Sequence, residues 1–199
     1  VQSACRSLGR SLRDKSSYHL VVMKSTVLPG TTEGLVIPAI LKHSRREGDE
    51  IGFCMNPEFL REGRAVEDFM HPDRIVIGCN DPISGELAES VYRGIEAPVI
   101  RTEIKSAEMI KYASNAFLAT KISFANELGN LCKALRIDAY EVMKGVGMDH
   151  RINPHFLNAG AGFGGSCFPK DLSALIALAQ SLDEKPLILR SVQEVNERQ

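Results

Sequence analysis

The sequence predicts an α/β fold in two parts, a parallel sheet with covering helices over residues 1–102 and an all-helical region over residues 103–199. Short strand-like apolar runs alternate with helical patterns as far as Thr102. These runs are apolar on both faces, as strands are in a parallel sheet that helices cover. After Thr102 the pattern changes, and residues 105–135 contain no proline and one glycine.

Strands in the first part are predicted at residues 19–23, 51–55, 74–78 and 98–101. Apolar residues at helical spacing predict helices near the first residues of the chain, over 33–43, and from Asp81-Pro82 to about Glu96. Asp81 is a favourable N-cap, and proline suits the first helical position. This order predicts a partial Rossmann-like sheet.

In the second part, one long helix is predicted from about Lys105 to Leu135. Asp138 and Glu141 resemble a capping box that starts a further helix. A glycine-rich loop follows over residues 148–166, and proline residues introduce helices over 169–182 and 186–199. The region is therefore predicted to be all-helical.

Composition excludes several classes of protein. The chain has 199 residues, 44% hydrophobic and 25% charged, which excludes disorder as its main state. Lys and Arg number 24 against 25 Asp and Glu, so the basic excess of a nucleic-acid-binding protein is missing. No apolar run approaches the ~20 residues that a membrane span needs, and the first residues show no signal-peptide core. A soluble, cytoplasmic protein is expected.

Cysteine and histidine spacing predicts no metal site and no disulfide framework. The five cysteines include no C-x-x-C pair, and the five histidines show no ligand spacing. Cys167 differs from the other cysteines because it follows the glycine-rich loop and lies two residues before Pro169, at the start of a predicted helix with Lys170 in its first turn. Helix N-terminal amides and an ammonium group favour a thiolate, which predicts a nucleophile. The alternative is a buried structural cysteine.

The loop over residues 160–165 satisfies G-x-G-x-x-G but follows a helical region. A dinucleotide fingerprint follows a strand and opens a helix, so this interpretation is rejected. Close approach of the backbone to a ligand is predicted instead. Asp171, just beyond this loop, is either a general base or an acid that the helix dipole stabilises, and its spacing favours the second.

Lys111 and Asn115 lie four residues apart and therefore on one helix face. Their ammonium and amide groups can donate to a developing oxyanion. The alternative is a solvated helix face.

Polar residues also follow two predicted strands. Glu58 and Glu62 come after the second strand, and Thr26, in Lys24-Ser25-Thr26, comes after the first. Ligands of open parallel sheets bind at the carboxyl ends of strands, which makes these residues candidates for a site. Ordinary turn and capping chemistry is the alternative.

Four stretches together resemble the UDP-glucose/GDP-mannose dehydrogenases, a family of nucleotide-sugar 6-dehydrogenases. They are residues 24–31 (KSTVLPGT), 56–63 (NPEFLREG), 108–115 (EMIKYASN) and 164–171 (GGSCFPKD). Residues 147–149 (GMD) and 156–160 (FLNAG) are more similar to the UDP-glucose branch. The resemblance covers nearly the whole chain.

The resemblance implies that two NAD molecules support a four-electron oxidation of a UDP-sugar, UDP-glucose to UDP-glucuronate, in polysaccharide biosynthesis. Cys167 would form a thiohemiacetal and then a thioester. Lys111 and Asn115 would stabilise the oxyanions and bind substrate, Asp171 would position or activate water, and Thr26 and Glu58 would assist.

The resemblance also implies binding roles. Thr26, Glu62 and Lys170 would face NAD, and Arg151 would reach the substrate of a partner subunit in a homodimer formed through the helical domain. The remaining residues that would hold the nucleotide sugar are Phe59, Leu60, Phe156, Leu157, Asn158 and Gly164.

On this resemblance, residues 1–102 form the second part of an NAD-binding domain whose first βαβ unit is missing, and residues 103–199 form the central, dimerising domain. A carboxyl-terminal domain is missing as well. The chain is expected to fold and dimerise but not to turn over alone. Two alternatives stay open: a β-hydroxyacid-type dehydrogenase with a single hydride transfer and no need of cysteine, and a non-catalytic dimerisation module.

Overall fold

The computed structural model describes residues 1–46 and 50–199. They form two compact units, Val1–Lys111 and Tyr112–Gln199. The division falls inside the longest helix, so the beginning of this helix belongs to the first unit and the remainder to the second. Each unit is described by itself.

The first unit is built on a four-stranded sheet. Its strands are β1 (His19–Met23), β2 (Ile51–Met55), β3 (Ile75–Cys79) and β4 (Val99–Thr102), in the spatial order β1-β2-β3-β4. The pairs β1–β2 and β3–β4 are parallel, as predicted, and β1 pairs in register from His19↔Ile51 to Met23↔Met55.

The prediction of an all-parallel sheet is wrong for one pair. Strands β2 and β3 are antiparallel, and only Cys54↔Cys79 and Met55↔Gly78 are in register. A parallel pair needs a crossover helix that packs on the sheet. The only helix in this connection, α3 (Ala65–Met70), has no buried residue, so it does not act as one.

The remaining helices of the first unit are α1 (Gln2–Ser11), α2 (Ile37–Ser44) and α4 (Pro82–Ser90), and a π-helical segment, Thr32–Val36, leads into α2. A core that includes Leu12, Ile40, Phe53 and Val76 packs α1 and α2 against the sheet. The Asp81 side chain accepts a hydrogen bond from Ser84 N and caps α4, as its position predicts.

The second unit is all-helical, as predicted. Helix α5 (Ile104–Leu135) crosses the division, and α6 (Ala139–Gly147), α7 (Phe168–Ser181) and α8 (Leu187–Arg198) follow it. Ala119 on α5 packs with Leu172 and Ile176 of α7 and Val192 of α8. No helix of the described residues is long and apolar enough to cross a bilayer.

Candidate active site

In the first unit, the ammonium group of Lys111 is buried and paired. Its Nζ lies 3.0 Å from Glu58 Oε1, and the Lys111 side chain is 6% exposed. Glu58 Oε2 accepts a hydrogen bond of 2.8 Å from Leu60 N, which fixes the carboxylate within its own loop. The alternative interpretation, which places Lys111 on a solvated helix face, is therefore wrong, because the lysine is buried and Glu58 compensates its charge.

The Phe59 ring lies close to two cations. Arg74 has its guanidinium carbon 4.0 Å from the ring centroid, and Lys111 Nζ lies 5.4 Å from it. Both distances allow a cation–π attraction, so the ring is a second group that holds the Lys111 ammonium in place.

Asn56 anchors the loop that carries Glu58. Its Nδ2 donates to Val76 O at 2.7 Å. Its Oδ1 accepts from Lys24 Nζ at 2.8 Å and from the Tyr92 hydroxyl. Lys24 and Asn56 follow neighbouring parallel strands, so this network ties together the carboxyl ends of β1 and β2, where a ligand of such a sheet binds.

Glu108 holds the loop that follows β1 against α5. It is fully buried, and its carboxylate accepts from Gly30 N at 2.5 Å and from Thr32 N at 2.9 Å. Gly30 has φ +91°, a backbone conformation that favours glycine. The carboxylate therefore sits at the N-terminal end of the helix that follows, where it satisfies amides that would otherwise be unpaired.

In the second unit, Asp171 bridges an amide and an ammonium group. Its Oδ2 accepts from Asn115 Nδ2 at 2.7 Å, and its Oδ1 accepts from Lys170 Nζ at 2.6 Å. The Asp171 and Asn115 side chains are both buried, whereas Lys170 is exposed. The hydrogen bond to Asp171 raises the pKa of Lys170, and burial opposes this shift.

Cys167 lies at the N-cap of α7 and is the exposed cysteine of the chain, since the other four are buried or half-buried. Its Sγ lies 3.6 Å from Ser166 Oγ, and its carbonyl accepts from Asp171 N at 2.9 Å. The predicted helix start is therefore present, and because the thiol is exposed, the interpretation of Cys167 as a buried structural cysteine is wrong.

Amide side chains hold the glycine-rich loop before Cys167. Asn126 Oδ1 accepts from Gly160 N at 2.7 Å, and Asn196 bonds both the N–H and the carbonyl of Phe163. A Cβ atom at Gly162 would lie 2.7 Å from Asn196 Oδ1, whereas one at Gly164 or Gly165 would meet no atom within 4 Å. The space beside these two glycines is therefore open, and the approach of a ligand to their backbone stays a prediction.

Several predicted site residues lie elsewhere. Arg151 forms an ion pair with Asp149, with Nη2 at 2.6 Å from Oδ2. Leu157 is buried and packs with Ala125 and Met143, so only its backbone is free to bind a ligand. Positions in loops, half-buried or exposed, are occupied by Thr26, Leu60, Glu62, Phe156 and Asn158.

Comparison with known proteins assigns the family. Residues 1–96 match the NAD binding domain of the UDP-glucose/GDP-mannose dehydrogenase family, and residues 105–198 match that family's central domain. The chain belongs to this family. The match confirms the resemblance of the four motif stretches and the order of the two parts of the fold.

Relatives in this family are named for different nucleotide-sugar substrates. A UDP-glucose 6-dehydrogenase AglM of Haloferax volcanii is 48% identical over 205 residues, which cover 100% of this chain and 48% of the relative. A GDP-mannose 6-dehydrogenase of Pseudomonas aeruginosa is 44% identical over 202 residues, which cover 100% of this chain and 46% of the relative. The chain thus spans about half the length of these curated relatives.

A solved structure confirms the fold. The UDP-glucose dehydrogenase of Pyrobaculum islandicum superimposes with a TM-score of 0.95 at 50% identity, covering 99% of this chain and 45% of that one. A GDP-mannose dehydrogenase of Pseudomonas aeruginosa superimposes with a TM-score of 0.75 at 43% identity, covering 100% of this chain and 46% of that one.

NAD is the cofactor of the domain that residues 1–96 match. Thr26 follows β1 and Glu62 follows β2. The Thr26 hydroxyl and the Glu62 carboxylate can form hydrogen bonds with the hydroxyls of a ribose or with a carboxamide group. A pyrophosphate does not suit the helix after Gly30, because the Glu108 carboxylate already occupies its N-terminal end. The residues therefore fit a ribose or carboxamide part of the dinucleotide, and no fingerprint for its phosphates occurs among the 199 residues.

Sequence reasoning misses the residues that support this site rather than form it. Glu108 belongs to one of the four motif stretches but has no predicted role, and Tyr92 and Asn126 have none either. One signal is present for Glu108, since it lies three residues before Lys111 and therefore on a neighbouring face of α5. The described residues contain no cluster of three or more His, Cys, Asp or Glu that could hold a metal ion.

Proposed function

We propose that this chain carries the catalytic middle of an NAD-dependent nucleotide-sugar 6-dehydrogenase that acts in the cytoplasm and oxidises a UDP-sugar, UDP-glucose, to the uronic acid. The observation that carries this proposal is the exposed Cys167 thiol at the start of α7, beside the buried Asn115–Asp171 pair of the same unit. A single-step alcohol dehydrogenase has no use for such a thiol.

In the proposed reaction, the C6 alcohol of the sugar first loses a hydride and a proton to become an aldehyde. The Cys167 sulfur then adds to the aldehyde carbon to form a thiohemiacetal, which loses a second hydride and a proton to become a thioester. Water attacks the thioester carbon, and the thiolate leaves. NAD, when bound, supplies the acceptor for each hydride, so two molecules are consumed per acid formed.

Lys111 and Asn115 are proposed to stabilise the oxyanions of these steps. They lie one turn apart on α5, and each is held by a carboxylate, Lys111 by Glu58 and Asn115 by Asp171. An amide nitrogen has two N–H groups, so Asn115 can bond Asp171 with one and an oxyanion with the other. Glu58 and Thr26 are proposed to assist.

Asp171 is proposed to position or activate the water of the last step. The helix N-terminus and Lys170 support its negative charge, and the short bond to Asn115 fixes its orientation. In this proposal Asp171 contacts both the Asn115 amide, which stabilises the oxyanion, and the water that attacks the thioester. Lys170, Thr26 and Glu62 are proposed to face NAD.

The residues proposed to bind the nucleotide sugar do so mainly through their backbone groups. The open space at Gly164 supports such an approach, and the buried side chain of Leu157 leaves only its main chain for this role. The other residues proposed for substrate binding are Phe59, Leu60, Phe156 and Asn158. UDP-glucose is proposed over GDP-mannose because residues 147–149 and 156–160 resemble the UDP-glucose branch.

A homodimer through the helical domain is part of the proposal. Three large apolar residues of α5 are exposed at intervals of seven, Phe117 at 65%, Phe124 at 48% and Leu131 at 56%. Such a stripe on one helix is typical of a surface that a second helix covers. Arg151 is proposed to leave Asp149 and reach the partner subunit's substrate. Sedimentation should show a dimer for the chain and a monomer for Phe117→Glu with Leu131→Glu.

Thiol labelling tests the catalytic part of the proposal on the chain itself. With limiting iodoacetamide, mass spectrometry should find the adduct on Cys167, because it is the exposed cysteine and lies at the start of α7. UDP-glucose should protect Cys167 more than GDP-mannose does. Labelling spread over the five cysteines would contradict the proposal and favour a dimerisation module.

Enzyme activity, measured as NADH and acid formation, gives a second test. The assay uses a protein in which this chain is joined to a segment that contains the phosphate-binding fingerprint. The chain alone is expected to form no NADH, since the fingerprint is not part of it. Replacement of Cys167 by Ala should abolish net acid formation, whereas the buried Cys132→Ala control should retain it. Full activity of Cys167→Ala would indicate a β-hydroxyacid-type dehydrogenase instead.

A further inference from the structure

Two cysteines of the first unit face each other across the antiparallel pair of strands. Cys54 on β2 and Cys79 on β3 are Cα partners in the register. Directly opposite residues of antiparallel strands have Cα atoms about 4.5–5.5 Å apart. A disulfide needs Cα atoms about 4.4–6.8 Å apart, so the backbone already has the separation that a disulfide bond requires.

The side chains of both cysteines lie on the same face of the sheet. Cys54 belongs to a core cluster with Ile75, Ile77 and Ala88, and Cys79 packs against that cluster. Burial raises the pKa of the Cys54 thiol to about 12, and the Cys79 thiol is the next cause of this rise. The two sulfur atoms are therefore near neighbours, with one inside the core and the other at its edge.

Access differs between the two thiols. Cys54 is fully buried, whereas Cys79 is half-buried at the end of β3. On the α4 side the Cys79 sulfur meets a glycine, since a Cβ at Gly85 would lie 2.8 Å from it. This contact shows that the sulfur packs closely against α4, so access to Cys79 comes from its half-buried position at the end of β3. A small reagent should therefore reach Cys79 before the fully buried Cys54, which is placed to react with the product.

We propose that Cys54 and Cys79 form a reversible dithiol–disulfide site whose oxidant is a small hydroperoxide. The Cys79 sulfur attacks the peroxide, takes one oxygen to become a sulfenic acid, and releases an alcohol or water. The Cys54 sulfur then attacks the sulfenic sulfur, the S–S bond forms, and water leaves. The two thiols lose two electrons and the peroxide gains them.

Oxidation at this site would constrain the loop that leads to the candidate active site. The cysteines are 25 residues apart in the chain, and Asn56 and Glu58 lie between them. Strands β2 and β3 are joined by only two register pairs, one of which is this cysteine pair. A covalent link at this short junction would restrict its opening. The proposal does not depend on the proposed dehydrogenase activity.

The test uses Cys167→Ser as the parent, because its exposed thiol would otherwise compete for the oxidant. The folded protein is treated with hydrogen peroxide, and the remaining thiols are alkylated after denaturation. Free thiols should fall from four to two, and digestion should give one linked peptide that contains Cys54 and Cys79. The melting temperature should rise by about 5 °C and return with dithiothreitol.

Two further variants control the result. Cys79→Ser in the same parent should lose the linked peptide and the rise in melting temperature, whereas Cys132→Ala should keep both. Because Cys79 is half-buried at the end of its strand, its serine variant should fold. Four free thiols after treatment, a link to another cysteine, or a sulfinic acid on Cys79 with a free Cys54 would overturn the proposal.

Discussion

The two units each pair a lysine with a carboxylate, but the buried partner differs. In the first unit the cation is buried, with 6% of the Lys111 side chain exposed against 34% for Glu58. In the second unit the anion is buried, with 2% of Asp171 exposed against 58% for Lys170. Loss of the more exposed partner therefore leaves a buried positive charge in one unit and a buried negative charge in the other.

The two buried charges do not have equal support from other groups. Without Glu58, the Lys111 ammonium would keep its contact with the Phe59 ring. Without Lys170, the Asp171 carboxylate would keep the hydrogen bond from Asn115 and its place in the first turn of α7. A carboxylate in that position is well stabilised, so the pair in the second unit should tolerate the loss of its exposed partner better.

Glu58→Gln should give the larger loss of stability. The substitution keeps the shape of the side chain but leaves the Lys111 ammonium buried without a compensating charge, which should reduce the free energy of unfolding by about 2 kcal/mol, since part of the pair is solvated. Urea unfolding measures this loss. Glu62→Gln, an exposed glutamate of the same loop, is the matched control and should change stability by less than about 0.5 kcal/mol.

An equal effect of Glu58→Gln and Glu62→Gln would break the comparison. It would mean that the Lys111 ammonium is solvated as well without Glu58 as with it. The buried Lys111 ammonium would then not need the charge of Glu58 to stabilise it.

Lys170→Met should have a smaller effect, at most about 1 kcal/mol near neutral pH, because this lysine is mostly exposed. The pair raises the pKa of Lys170, so its stabilisation is complete below the ordinary value of 10.5 and is lost as the pH rises through the higher folded value. Unfolding measured from pH 8 to 11.5 should therefore show a decline in the parent that Lys170→Met removes.

Lys185→Met is the control for this experiment, since it removes an exposed lysine that lies between α7 and α8. It should leave the alkaline decline in place. A decline that persists in Lys170→Met and disappears in Lys185→Met would show that the Lys170–Asp171 pair does not cause the alkaline loss of stability.

Local sequence patterns predict most of the elements of the fold. The strands at 19–23 and 51–55 agree with the structure residue for residue, because apolar β-branched runs and their flanking turns are local signals. The helix predicted to Glu96 ends instead at Ser90, and Gly94, with φ +89°, lies in the turn that follows. The direction of β3 depends on tertiary packing. A strand that is buried on both faces is apolar on both faces whether it pairs parallel or antiparallel, so its sequence does not predict its direction.

The sequence predicts those features of the candidate site that depend on the local spacing of residues. The positions of Cys167 at a helix start and of Asn115 on α5 follow from local pattern. Their partners do not, because the bond from Asn115 to Asp171 joins residues 56 positions apart in the chain. The same holds for Glu108, which bonds the amides of Gly30 and Thr32 at a distance of more than seventy residues along the chain.

A third pair, nearer the surface, shows how much of these effects comes from burial. Arg61 and Asp68 lie near Glu58 in the chain, with Arg61 Nη2 at 2.5 Å from Asp68 Oδ1. The side-chain hydrogen bonds from Arg61, and then its backbone N–H, lower the pKa of Asp68 from 3.8 to about 2. The stabilisation from this pair is therefore complete above pH 3.8 and is lost as the pH falls toward 2.

Arg61→Gln should return the pKa of Asp68 most of the way to 3.8, as measured by NMR titration of its carboxyl carbon, and the protein should lose the stabilisation from this pair at neutral pH. Arg64→Gln is the control, since Arg64 is a minor cause of the shift and its guanidinium lies 3.9 Å from Glu67 instead. A pKa that stays near 2 in Arg61→Gln would assign the shift to the backbone N–H of residue 61. The loop itself would then hold the carboxylate, and the charge of Arg61 would contribute little to this pair.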